Sequence, residues 1–176
     1  MYKIKLNNVR LSYPNLFQTA SFGGEDLGKY DATFILDKKT HAKEIKKIQA
    51  MFQELADEKL KGTVPNDDKL CLKDGDETDK DELQGKYSVK ASTKKRPTII
   101  NRDRTPIAED DNIIFAGCYV VAILSFWAQN NQFGKRINGT IEGVQFFKKG
   151  DPFGEPPIDI EEFDVFDDDD DEDDKF

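Results

Sequence analysis

The sequence predicts a mainly β protein: a small barrel with one inserted α-helix, followed by a disordered acidic C-terminal tail. Three observations carry this reading. Short runs rich in Val, Ile, Phe and Tyr recur between polar, Gly- and Pro-marked breaks. One segment alone shows apolar spacings of three and four. The composition then changes abruptly near Gly154, beyond which no stretch could bury a core.

The first strand, Lys3 to Asn7, alternates Ile4 and Leu6 with Lys3 and Lys5. Pro14 and the pair Gly23-Gly24 punctuate an extended segment and loop from Arg10 to Gly28. A second strand covers Tyr30 to Leu36. Asp37 or Thr40 then caps a helix over about residues 40–61, with Ile45, Ile48, Phe52, Leu55 and Ala56 on one face and Gly62 ending it. Residues 65–85 read as an acidic loop. Strands follow at Lys86 to Ser92, at Ile99-Ile100 and, most strongly, at Ile113 to Ala128. A turn at Asn130 to Gly134 returns the chain as Arg136 to Phe147. Several strands with one internal helix fit a barrel better than a βαβ sheet. The expected organisation is one domain over residues 1–154 and a tail over residues 155–176.

Charge divides the chain at the same place. The whole has a net charge of −9, but Glu155 to Phe176 holds 13 acids and one lysine, a net −12. Met1 to Gly154 carries 25 Lys and Arg against 22 acids, a net +3. A mildly basic body is thus joined to a polyanion. The N-terminus alternates from its first residues, which argues against a signal peptide, and no apolar run is long enough for a membrane span. A cytoplasmic protein without a membrane partner is expected. Cys71 and Cys118 therefore read as unpaired thiols, the second within the core.

Catalytic constellations are missing from the sequence. The single histidine, His41, opens the charged helix and reads as a surface or capping residue. There is no phosphate-cradling glycine loop and no dinucleotide fingerprint. Two distant cysteines and one histidine cannot build a zinc site. A calcium loop beginning at Asp74 fails, having Asp79 at its sixth position and Gly85 at its twelfth. No enzyme, metal or cofactor is expected.

What the body does offer is rings beside cations. Holding an unpaired nucleic-acid strand requires a cationic groove and aromatic faces on which bases stack. Candidates are Arg10 with Tyr13; Tyr87 and Lys90 leading into Lys94, Lys95 and Arg96; Arg102 and Arg104; and Trp127 and Phe133 flanking a hairpin with Lys135 and Arg136. The tail is the complementary feature. Asp170, Asp171, Glu172, Asp173 and Asp174 precede a terminal Phe176, a ring suited to docking in a partner's pocket. Tethered to a basic groove, those acids would also compete with nucleic acid. Two other classes remain open: an acidic DNA mimic or chaperone-like interaction protein whose tail is the active part, and a metal-dependent nuclease using the acids between Asp76 and Glu82.

A set of short motifs narrows this. Arg10-Leu11-Ser12-Tyr13-Pro14-Asn15-Leu16, Tyr30-Asp31-Ala32-Thr33-Phe34, Gly117-Cys118-Tyr119-Val120, Gly134-Lys135, Gly143-Val144-Gln145 and Gly150 with Phe153-Gly154 resemble, in order and spacing, a family of tailed-phage single-stranded-DNA-binding proteins. The resemblance runs from about Lys5 to Gly154. It implies an OB fold with an inserted helix, and coating of single strands during phage DNA replication or recombination, with self-association on DNA. It further implies tail contact with a phage or host polymerase and helicase, and a strand-annealing activity found in related phage proteins. Arg10, Tyr13, Tyr30, Lys135 and Arg136 match recurring family positions.

Overall fold

A computed structural model describes residues 2–153 and 160–166. The residues named for the tail, Asp170, Asp171, Glu172, Asp173, Asp174 and Phe176, lie outside the described residues.

Strand β1 (Tyr2–Asn15) runs well beyond its alternating start, because a register shift between Leu6 and Val9, at Asn8 with φ 54°, bends it around the barrel and restores the inward alternation with Val9 and Leu11. A small hairpin of β2 (Ser21–Phe22) and β3 (Glu25–Asp26) turns through Gly23-Gly24 and leads into β4 (Tyr30–Asp37). Helix α1 (Ala42–Lys59) falls inside the expected span. After it come β5 (Leu72–Asp74), β6 (Lys86–Thr93), β7 (Thr98–Ile100), β8 (Tyr119–Asn131) and β9 (Gly134–Lys148).

Five of these strands close on themselves. β4 and β8 flank β1, β6 follows β4, and β9 joins β8 to β6 through a parallel contact at Ser92 and Thr140. The cyclic order β1-β4-β6-β9-β8 is that of an OB-fold-like barrel, and closure removes the exposed sheet edges that invite aggregation. Alternation fills the interior with Leu6, Leu11, Phe34, Val89, Val120, Leu124 and Ile137, all buried. Helix α1 packs on β8 and β1 and closes one end with the apolar face seen in the sequence. There Phe52 meets Phe126 edge to face, ring centres 5.1 Å apart.

The structure departs from the sequence reading in four places. The expected strand from Ile113 starts only at Tyr119, since Gly117 adopts φ 109° and turns the chain. The acidic loop is ordered: it contains β5 and three 3-10 turns, Asp67–Lys69, Gly75–Glu77 and Asp81–Leu83. His41 stands at the N-cap of α1, as read, but it is buried and its ring bridges two elements instead of capping the helix. Its Nδ1 accepts from the Asp37 amide at 3.0 Å, and Nε2 faces the Asn7 carbonyl at 3.0 Å. Asp37 accepts from the amides of Lys39 (2.8 Å) and Thr40 (3.1 Å), one turn earlier than a helix cap.

Candidate nucleic-acid interface

The outward face of the barrel carries the site. Cross-strand register puts Ser12 of β1, Thr33 of β4 and Lys90 of β6 in one row, and Arg10, Ile35 and Ser88 in the next. Beyond β6 the surface continues onto β9 and β8 through Arg136, Asn138 and Trp127. Four inter-strand spacings make this path about 19 Å along the sheet.

At its far end a cleft of about 370 Å³ is lined by Lys29, Lys69, Lys73, Lys90, Trp127 and Arg136, with Asn138 and Gly139 at its floor. Trp127 pairs across the hairpin with Asn138, whose amide donates to Gln129 at 3.1 Å, so the ladder fixes the base of the indole. Its side chain is 48% exposed, high for tryptophan on a sheet. Among the described residues Lys29, Lys90 and Arg136 form no ion pair, and Lys73 donates only to the Asp67 carbonyl at 2.9 Å.

The near end is a second cleft of about 600 Å³, between Ser12, Tyr13, Ile35, Lys80, Leu83 and Phe153. Tyr13 holds φ 46° and stands 70% exposed, with the Lys80 ammonium 5.7 Å from its ring centre. A bulky residue in the left-handed region is strained, and such strain is retained where a particular side-chain position is needed. The two clefts place an exposed ring, Tyr13 or Trp127, at each end of a basic strip.

The named candidates divide by face. Tyr13, Lys90, Trp127 and Arg136 meet on this strip. Phe133, 73% exposed, and Lys135 occupy the tip of the β8–β9 hairpin. Lys94, Lys95 and Arg96 form the exposed β6–β7 connection, just past Thr93. Arg102 and Arg104 lie in the turn after β7, where Arg102 stacks at 5.5 Å over Phe147. Tyr87 is not with Lys90: three residues apart on a strand, they face opposite sides, and Tyr87 packs with Phe52 and Leu72 under α1 while the Lys38 ammonium covers it at 5.1 Å. Arg10 is engaged by the protein itself. Its guanidinium lies 4.1 Å from the Phe153 ring centre, its Nε donates to Gly117 O at 3.2 Å, and Nη2 donates to Asp151 O.

That clamp has a backbone counterpart. A Cβ on Gly117 would sit 2.2 Å from Asp151 O, and one on Gly150 would sit 2.2 Å from Gly117 O. Only glycine at both positions lets the chain after β9 lie against the start of β8. Phe153, and with it the root of the tail, is thereby held at the rim of the near cleft.

Sequence reasoning missed Lys29, Lys69, Lys73 and Lys80. Lys29 directly precedes β4, and the others sit among the acids of the insertion. Neither thiol is a chemical candidate: burial pushes the Cys71 thiol up to about 12 and raises Cys118. Among the described residues no cluster of His, Cys, Asp and Glu is arranged to hold a metal ion, and no helix is long and apolar enough to cross a membrane.

The sequence profile of a family described as Enterobacter phage Enc34, ssDNA-binding protein, matches residues 2–176. The chain belongs to this family. Protein p50 of Acyrthosiphon pisum secondary endosymbiont phage 1 is 36% identical over 172 residues, covering 92% of each chain. The single-stranded DNA-binding protein from bacteriophage Enc34, solved in complex with ssDNA, is similar with a TM-score of 0.76 and 33% identity over 86% of this chain and 89% of that one. The gp2.5 single-stranded DNA binding protein of bacteriophage T7 shares the fold at a TM-score of 0.55 and 10% identity, covering 90% of this chain and 98% of that one.

Proposed function

We propose that this protein binds single-stranded DNA on the strip between Tyr13 and Trp127, without chemical change to the DNA, inside the phage-infected cell. The observation that carries the reading is the far cleft. There an exposed indole stands among Lys29, Lys90 and Arg136, cations that no carboxylate pairs among the described residues. Bases stack on Trp127 and on Tyr13, phosphates meet the cations, and the closed barrel keeps both rings in place. The fold and family membership support it, since a member of similar structure has been solved with ssDNA bound.

The role follows from sequence-independent stacking: coating single strands in phage replication or recombination, with self-association on DNA and strand annealing as consequences. The net −12 of residues 155–176 makes the tail a competitor for the same cations and a docking segment for a polymerase or helicase. Its root at Phe153, beside Tyr13, supports the competition. Titrating the full chain and a variant ending at Gly154 with labelled oligothymidine tests both parts. Tighter binding by the shortened chain is expected. Absence of binding by either chain in dilute buffer would end the proposal.

A further inference from the structure

The barrel's opposite face carries a second, differently built surface. Strands β1, β8, β9 and β7 lie side by side there, with no α-helix of the described residues lining the trough between them. Lys5, Ile123, Gly143 and Thr98 form one cross-strand row, and Val121, Gln145 and Ile100 the next. They enclose a trough of about 270 Å³ with an apolar floor. Lys3 and Lys5 line one side, and Arg96 lies two residues before Thr98 on the other. Gly143 leaves the floor without a side chain, a gap in a sheet that an aromatic ring from outside can fill. The one carboxylate in the trough, Glu142, is bonded to Ser125 Oγ at 2.7 Å.

A matching segment lies in the same chain. Ile160–Glu162 form a 3-10 turn, and within residues 160–166 the side chains of Ile160 (82%), Phe163 (64%), Val165 (91%) and Phe166 (76%) are exposed. Glu161, Glu162 and Asp164 alternate with them. Four large apolar groups in seven residues exceed what a solvated arm needs. Apolar side chains interleaved with acids are the complement of an apolar floor rimmed by lysines.

We propose that Ile160–Phe166 of one copy docks in the β1-β8-β9-β7 trough of a second copy, with Phe163 or Phe166 over Gly143 and its acids against Lys3 and Lys5. Segment and trough are different surfaces, so the contact is head-to-tail, and it runs on as an open array wherever the rotation between copies does not close. An open array of this kind suits coating of a linear polymer. The acidic run after Phe166 then remains available for the strip and for other partners. This inference rests on the proposed self-association.

Sedimentation of the full chain over a concentration series at low salt, with and without oligothymidine, tests it. F163S/F166S and, separately, K3E/K5E are expected to weaken association at least about tenfold. E162K/D164K should fail alone but associate again when mixed with K3E/K5E, which also establishes that both fold. Loss with the segment variant but not with K3E/K5E would place the segment elsewhere and overturn the proposal. So would a K3E/K5E variant that associates normally but binds DNA more weakly, since the trough would then be a nucleic-acid surface. A wild-type chain that never associates removes the broader self-association reading as well. Association untouched by any of these substitutions removes only this one.

Discussion

Lysines on two sides of β6 have opposite fates. At the helix end, Lys38 bridges Asp74 (2.7 Å) and Asp76 (2.6 Å), and Lys86 meets Asp37 at 2.8 Å. On the outward strip, Lys90, Lys29 and Arg136 have no carboxylate partner among the described residues. Lys38 pins the acidic insertion to the barrel through Asp74 and Asp76, and Lys86 ties β6 to the end of β4. The outward group leaves positive charge uncompensated beside an exposed ring. A body with a net charge of only +3 can thus present a cationic strip, because Lys29, Lys73, Lys90 and Arg136 gather in one cleft whose lining carboxylate, Asp68, faces Lys69 at 3.7 Å.

The sharpest way to break this comparison is W127A. Losing one stacked base should weaken oligothymidine binding by about 1–3 kcal/mol, with thermal stability nearly unchanged. The mirror experiment is D37A, which removes the Lys86 bridge and two amide partners. It should lower unfolding free energy by about 1–2 kcal/mol in urea while leaving DNA affinity alone. If D37A instead cost affinity and W127A cost stability, the two regions would have been assigned the wrong way round. Next in size is K90A, expected to flatten the plot of log affinity against log salt by about 0.7, whereas K38A should not change its slope.

The smallest effect is on pH. The Lys86 ammonium, then the Lys39 and Thr40 amides, hold the Asp37 carboxyl well below the usual carboxylate range. Lys38 and the Gly85 amide do the same for Asp76. Both groups favour the folded state when ionised. Their contribution is present above the unfolded carboxylate pKa of about 3.9 and is lost as pH falls through the depressed folded values. Melting temperature should therefore hold from neutrality down to about pH 4 and drop below it, with a shallower drop in D37N.

Periodicity made the barrel and helix legible. The face of α1, the alternation of β4 and β6 and the β8–β9 hairpin all follow from apolar spacing that the core then uses. Trp127 and Arg136 were legible as a ring and a cation near one hairpin. Alternation could have separated Tyr87 from Lys90, since Tyr87 shares its parity with the buried Val89. Arg10 was different in kind: Asp151, its hydrogen-bond partner, is 141 residues away, and local pattern carries no trace of such a contact. Lys69 and Lys73 were hidden by their acidic neighbours in sequence, although the Asp67–Lys69 turn and β5 carry them to the strip. Gly117 and Gly150 stood out only as motif residues, and their reason is the crossing of two backbones that each lacks room for a side chain.

Trp127 is the chain's one tryptophan, so its fluorescence reports on the strip alone. Titration of the full chain with unlabelled oligothymidine should quench that emission to saturation, with a midpoint that moves to higher DNA concentration as salt is raised. Binding that is tight by an independent measure yet leaves the indole emission unchanged would contradict the account.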